Sequence, residues 1–369
     1  MIPRLAAFLF VIAFAPAIAN AAAIAPIPAP NYSPAPTTRD GRNDFNFEFG
    51  TWRTHYRILK RRLVGDHEWY DCYGTSVIRP FWGGSGNLED GDLKCPTRYV
   101  GGLTLRLYDA QTHQWTLWWG TRKLAVAPPQ QVGHFDENGV GRFYAHDVWQ
   151  GKAIICRFQW TVTNGNPHFE QAYSTDGGKS WETNWTTDYA RVSASSSGVW
   201  NARASGPAAP ESFDFLLGTW KTYYMRRRQV LVGKNEWFSC DGTSVVTSFW
   251  SGSGNLEDGD LRCPAQYIHG VTLRLYDAGT RQWLLYWGTQ KRGLAVGLPQ
   301  VGRFANGVGN FYAPDTVAGH RVIVRYRWMI RNGYPRYEEA FSTDRGKTWE
   351  TEWTTDYRPM KGHRRPPPI

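Results

Sequence analysis

Along much of the chain, apolar and polar residues alternate one for one. Leu103, Leu105 and Leu107 alternate with Thr104, Arg106 and Tyr108; Ile154, Cys156, Phe158 and Trp160 alternate with Ile155, Arg157 and Gln159. Successive side chains of a strand point to opposite faces, so a period of two predicts β-strands. Tight turns punctuate the pattern. Asn138-Gly139, Asn164-Gly165, Asn306-Gly307 and Asn332-Gly333 each separate two such runs, where Asn and Gly tolerate the positive φ of a hairpin. Helical periodicity is confined to a possible short turn at residues 45–49.

The pattern occurs twice. "FNFEFGTW" (residues 45–52) returns as "FDFLLGTW" (213–220), "GLTLRLYDA" (102–110) as "GVTLRLYDA" (270–278), and "SGNLEDGDLKCP" (85–96) as "SGNLEDGDLRCP" (253–264). The offset is 168 residues throughout, except for a small slip near residues 123–131. A repeat of this length is a duplicated domain, not a solenoid unit. The division expected is residues 43–191 for the first copy and 211–358 for the second. Residues 192–210 form a Ser/Ala/Gly linker, and 359–369 a basic Pro-rich tail. Each copy reads as all-β with roughly ten short strands, a pattern that predicts a sandwich or an antiparallel barrel.

The start of the chain predicts export. Arg4, an apolar run from residue 5 to 17 and Ala19-Asn20-Ala21 make the three-part pattern of a signal peptide over residues 1–21. The run falls short of the ~20 residues that span a bilayer. Residues 22–42 are rich in Ala and Pro and read as a tether. An exported protein, periplasmic or secreted, also makes sense of the cysteines. Cys72 and Cys95 recur as Cys240 and Cys263 at the same separation, which predicts the disulfides Cys72–Cys95 and Cys240–Cys263. Cys156 has Val324 as its counterpart and reads as a buried thiol. The net charge of +10 is spread over short basic runs. That argues against a nucleic-acid partner and allows a weak attraction to anionic surfaces.

The "GTW" opening of each copy, with the order and length of its strands, resembles calycin barrels, the lipocalin and fatty-acid-binding-protein superfamily, and a bacterial domain family of unknown function grouped with them. The resemblance covers both copies and implies two tandem calycin-like antiparallel β-barrels. In lipocalins the Trp packs near a basic residue of the last strand. Arg191 and Arg358 are the candidates here, but they stand one position out of step and so cannot both face inward.

The duplication also tests for chemistry, because a residue working in both copies must occur in both. None of the nine histidines does, which excludes a shared nucleophile–histidine pair or a shared histidine ligand. No cofactor or metal is expected. Glu89, Asp90 and Asp92 lack the spacing of a calcium loop and read as a solvated acidic loop at a barrel mouth. Glu68/Glu236, Glu170/Glu338 and Glu182/Glu350 are shared carboxylates and leave a carbohydrate-active hydrolase as an alternative. "STDGGKSW" and "STDRGKTW" match the Asp-box pattern, read as a hairpin-stabilising motif. The favoured function is non-enzymatic binding of a small molecule that is anionic and partly apolar. Arg106, Arg157 and Glu170 would line the pocket with Trp69, Trp119 and Trp160, and in the second copy Arg274, Arg325 and Glu338 with Trp237, Trp287 and Trp328. This holds if the arginine face turns inward; turned outward, the arginines form a surface ladder. A second alternative is an interaction protein with filled barrels.

Overall fold

The computed structural model describes residues 35–126, 128–195, 212–295 and 299–360. The expected signal peptide, most of both linkers and nearly all of the tail lie outside these residues. The first copy runs β1 (Gly50–Leu59), β2 (Trp69–Phe81), β3 (Gly86–Cys95), β4 (Arg98–Asp109), β5 (Gln114–Thr121), β6 (Ala125–Val126), β7 (Gln131–Phe135), β8 (Gly141–Trp149), β9 (Lys152–Thr163), β10 (Asn166–Ser174) and β11 (Glu182–Ser193). The second repeats it: β12 (Gly218–Arg227), β13 (Trp237–Phe249), β14 (Gly254–Cys263), β15 (Gln266–Asp277), β16 (Gln282–Thr289), β17 (Gly293–Leu294), β18 (Gln300–Ala305), β19 (Val308–Val317), β20 (His320–Arg331), β21 (Tyr334–Ser342) and β22 (Glu350–Pro359).

In each copy ten strands pair antiparallel in chain order. The ring closes through β1–β11 and β4–β5, and through β12–β22 and β15–β16. The two-residue strands β6 and β17 lean on β5 and β16. Closure leaves no long unpaired edge on either sheet. The fold is therefore two closed ten-stranded β-barrels with almost no helix.

Each barrel is plugged at one end by a short 3-10 turn, Asn46–Glu48 or Phe213–Leu216. Phe45 sits among Trp115, Phe135, Phe143 and Trp160, with ring centroids 4.9–5.5 Å apart. Trp52 and Trp220 each donate an indole hydrogen to the turn, to the carbonyls of Glu48 and Leu216 at 2.6 Å. Part of the expected tether belongs to this plug: the Trp115 indole donates to the Gly41 carbonyl at 2.9 Å, and the Tyr108 hydroxyl to Asp40 at 2.8 Å. Arg191 covers the Trp52 ring at 4.0 Å, whereas Arg358 lies over Tyr334. The one-position offset of the two arginines thus places them differently.

The acidic repeat is not a solvated loop. Residues 86–95 and 254–263 are strands β3 and β14, and every polar side chain along them has a task. Asn87 and Glu89 point into the barrel, Leu88 points out against the other barrel, and Asp92 accepts the Thr75 N–H at 2.6 Å. A strand whose inner face is polar and whose outer face is partly apolar reads as a loop under a simple hydropathy rule.

The disulfides Cys72–Cys95 and Cys240–Cys263 join the ends of neighbouring strands, and Cys156 is a buried free thiol. The Asp-box segments shape the turns that follow β10 and β21. Asp176 accepts the N–H groups of Lys179 and Ser180 at 3.0 Å, and the Trp181 indole donates to the Gly178 carbonyl at 3.0 Å. The Ser180 hydroxyl also donates to Asp176 at 2.6 Å, and the hydrogen bonds to this carboxyl, led by that one, hold it below its ordinary range. Among the described residues no helix is long and apolar enough to cross a membrane.

Candidate functional site

Strand alternation sorts the candidate residues into two groups. Arg106 and Arg274 turn inward and are completely buried. Arg106 donates to Glu89 at 2.5 Å and to Asn87 at 2.9 Å, and pairs with Glu48 at 3.1 Å. Arg274 donates to Glu257 and, at 2.9 Å, to Asn255. The same glutamates accept from Ser76 and Tyr189, and from Ser244 and Tyr357. These guanidiniums are therefore committed to buried carboxylates, and an anionic ligand would have to displace one.

Arg157, Glu170, Arg325 and Glu338 lie on the outer faces of their strands. Arg157 donates to Glu170 at 2.6 Å and stacks on Trp181; Arg325 stacks on Trp349; Glu338 accepts from Arg336 at 2.9 Å. Trp69 and Trp237 are also outside, under Arg57 and Arg227. So the arginine face divides, with one member of each set inside and one in a surface ladder. The apolar face Leu103/Leu105/Leu107, opposite Arg106, is buried because the second barrel covers it.

Trp160 and Trp328 are buried inside, Trp119 and Trp287 line the same spaces with Trp119 still 37% exposed, and each barrel holds a cavity beside them. In the first barrel it measures about 60 Å³, with Tyr56, Trp119, Phe158, Trp160, Phe169 and Gln171 among its walls. In the second the equivalent cavity measures about 220 Å³ and is framed by Tyr224, Trp287, Tyr326, Trp328, Tyr337 and Trp353. The indoles of Trp119 and Trp287 press on Gly102 and Gly270: a Cβ at either glycine would come within 2.5 Å of the ring. The disulfides sit next to these cavities, packed with Tyr56 and Leu93 or with Tyr224 and Leu261.

The second cavity carries charge that the first lacks. Arg226, Glu339 and Glu352 line it. The corresponding positions of the first copy are Ile58, Gln171 and Asn184. There, the Gln171 side chain donates to Asn184 at 2.7 Å, a neutral and satisfied pair. In the second copy Glu339 and Glu352 hydrogen-bond each other, and burial, the leading cause for both, pushes their carboxyls upward; the adjacent Glu352 adds to the rise at Glu339. Arg226 stacks on Trp353 at 4.2 Å and draws both carboxyls downward.

No family model and no curated protein matches the chain. Among solved structures, the chain is similar to a protein of unknown function from the DUF3598 family of Nostoc punctiforme, with 11% sequence identity and a TM-score of 0.22. The alignment covers 86% of this chain and 98% of that one.

Sequence reasoning missed Arg226, Glu339 and Glu352. Residues common to both copies do not include them, because these three are positions where the copies differ. The available signal was that the three differences add one cation and two carboxyls together on inward strand positions. Among the described residues no cluster of His, Cys, Asp or Glu is placed to hold a metal ion. The shared carboxylates serve the surface: Glu68 pairs with Lys60, while Glu182 and Glu350 accept the Leu63 and Leu231 N–H groups.

Proposed function

We propose that this chain is an exported small-molecule-binding protein whose principal site is the cavity of the second barrel. The observation that carries this reading is the difference between equivalent cavities, about 220 Å³ against about 60 Å³. Aromatic walls with a few convergent polar and charged groups are how small-molecule sites are built. The first barrel is the filled counterpart, its wall closed by apolar and amide side chains. Two disulfides and the signal-like residues 1–21 support export. The resemblance to calycin barrels, which bind ligands inside, supports the same reading. The anionic ligand expected from Arg106 and Arg274 loses its ground, since both are neutralised by buried glutamates.

Hydrolysis finds little support in this geometry. Glycosidase carboxyls stand ~5–10 Å apart across the scissile bond, whereas Glu339 and Glu352 are hydrogen-bonded to each other.

Gly259 lines the second cavity, and a Cβ there meets nothing nearer than the Thr243 carbonyl at 3.8 Å. Gly259→Phe therefore fills the space from a strand position that tolerates it. Native mass spectrometry of the protein isolated from its own host is expected to show a bound small molecule that Gly259→Phe loses while remaining folded. A wild-type protein that carries nothing and gains no thermal stability from a small-molecule panel would defeat the proposal.

A further inference from the structure

We infer that the second cavity is selective for a molecule bearing one ammonium group on an apolar or aromatic body, with the ammonium seated between Glu339 and Glu352. This deepens, and rests on, the reading of that cavity as a binding site.

Three carboxyls line the cavity: Glu257, Glu339 and Glu352. Glu257 is used up by Arg274, Ser244 and Tyr357. The remaining two face a single guanidinium, that of Arg226. Glu352 is only 6% exposed, and its hydrogen-bond partner is the other carboxyl. Two carboxyls in hydrogen-bond contact share a proton, because both cannot ionise at that distance. The site therefore contains one carboxyl more than it has cations. An ammonium supplies the missing charge and three hydrogen-bond donors. On binding, the shared proton leaves to solvent and the ammonium takes its place, so charge and protons balance.

The walls suit the rest of such a molecule. Trp287, Tyr326, Tyr337 and Trp353 line the same cavity as the carboxyls, and aromatic faces attract cations and cover apolar bodies. Arg226 is held against Trp353 at 4.2 Å, and its Nε is buried without an acceptor. Its charge lowers both glutamate carboxyls. An incoming anion would compete with them for that one guanidinium. The first cavity is an internal control, since Ile58, Gln171 and Asn184 place no charged group where Arg226, Glu339 and Glu352 stand, and the space is smaller.

The pH dependence follows from the groups facing the pair. Arg226 from β12 lowers both carboxyls. Glu350 raises Glu352 and Arg227 lowers it, whereas Tyr337 donates to Glu339 and holds it down; burial outweighs the lowering influences at both. Falling pH favours the proton-bound pair that the ammonium must displace, so ammonium binding weakens on acidification.

The test uses 2-phenylethylamine, 2-phenylethanol and 3-phenylpropionate with the full exported chain, followed by tryptophan fluorescence and calorimetry at pH 8 and pH 5. The amine is expected to bind at least about tenfold more tightly than the alcohol at pH 8, to release protons on binding, and to weaken at pH 5. Glu339→Gln with Glu352→Asn installs the amide pair of the first barrel and is expected to erase the preference for the amine. Glu339→Gln alone guards against a folding defect in the double variant. Equal or tighter binding of alcohol or carboxylate, or amine binding indifferent to pH and to both variants, overturns the inference and leaves the cavity as a site for another chemistry. Failure of all three probes, together with no ligand lost by Gly259→Phe, overturns the cavity reading as well.

Discussion

At the scale of single residues, each barrel keeps one fully buried guanidinium, and the two copies solve its desolvation differently. Arg274 is matched by Glu257 and Asn255, and Leu216 stands at the position equivalent to Glu48. Arg106 has the equivalents Glu89 and Asn87 and, where the other copy has Leu216, a second carboxyl in Glu48. Glu48 is surplus: burial, partly opposed by Arg106, pushes its carboxyl up to about 7. A folded-state value above the ordinary one means the native protein binds that proton more tightly than the unfolded chain. Stability from this group therefore rises as pH falls from about 7 towards 4.5 and is lost again above that range. Glu48→Leu is expected to change stability at pH 7 by no more than about 1 kcal/mol and to flatten this part of the pH profile. Arg106→Met, by contrast, leaves two carboxyls buried without a cation and should cost about 3–5 kcal/mol. Urea titrations between pH 5 and 8 measure both; a Glu48→Leu loss as large as that of Arg106→Met would show that Glu48 is an essential partner.

At the scale of strands and turns, much of the architecture was legible. One-for-one alternation, Asn-Gly turns and the duplication led to two all-β copies of about ten strands, and the resemblance to calycin barrels led to closed barrels. The cysteine spacing led to the two staples in the same way. What stayed hidden was which face of each strand points inward. Leu103, Leu105 and Leu107 look like core and are indeed buried, but they are buried outside their own barrel against the other one. Arg106 looks like surface and lies at the barrel's centre. Hydropathy cannot separate these cases when the interior is partly ionic and the exterior is covered. β3 was misread for the same reason, and the charged trio of the second cavity was passed over because only its departure from the first copy marks it. The staples carry their own prediction at this scale. Cys240→Ser with Cys263→Ser opens a loop of separation 23 and is expected to lower stability by about 2–4 kcal/mol. It should also weaken ligand binding in the second barrel, since the bridge packs beside that cavity. A stability change without any change in binding would separate the staple from the site.

At the scale of the whole molecule, the two barrels form an internal pair related by approximate two-fold exchange. Trp82 of the first barrel donates its indole hydrogen to the Gly270 carbonyl at 3.3 Å, and Trp250 of the second donates to Gly102 at 3.1 Å. Both tryptophans sit at positive φ, 52° and 50°, a conformation that a bulky side chain holds only when its surroundings compensate. The compensation is the neighbouring barrel, which buries the ring and receives its hydrogen bond. Gly102 and Gly270 are also the glycines covered by Trp119 and Trp287, so the interface and the cavity walls meet at the same two backbone positions. Asp90 lies in this interface and accepts the Trp250 backbone N–H; burial raises its carboxyl to about 6. Its counterpart Asp258 is raised too, again chiefly by burial. A raised carboxyl is a cost that is fully felt above its folded value and relieved as pH falls through about 6 towards 3.8. Asp90→Asn removes the charge while keeping an acceptor for the Trp250 N–H. It is expected to stabilise the chain at pH 8, by on the order of 1–3 kcal/mol, and to have almost no effect near pH 4. Calorimetric melting of wild type and Asp90→Asn across that range measures the difference, and an equal effect at both ends would show that the Asp90 charge is already compensated between the barrels.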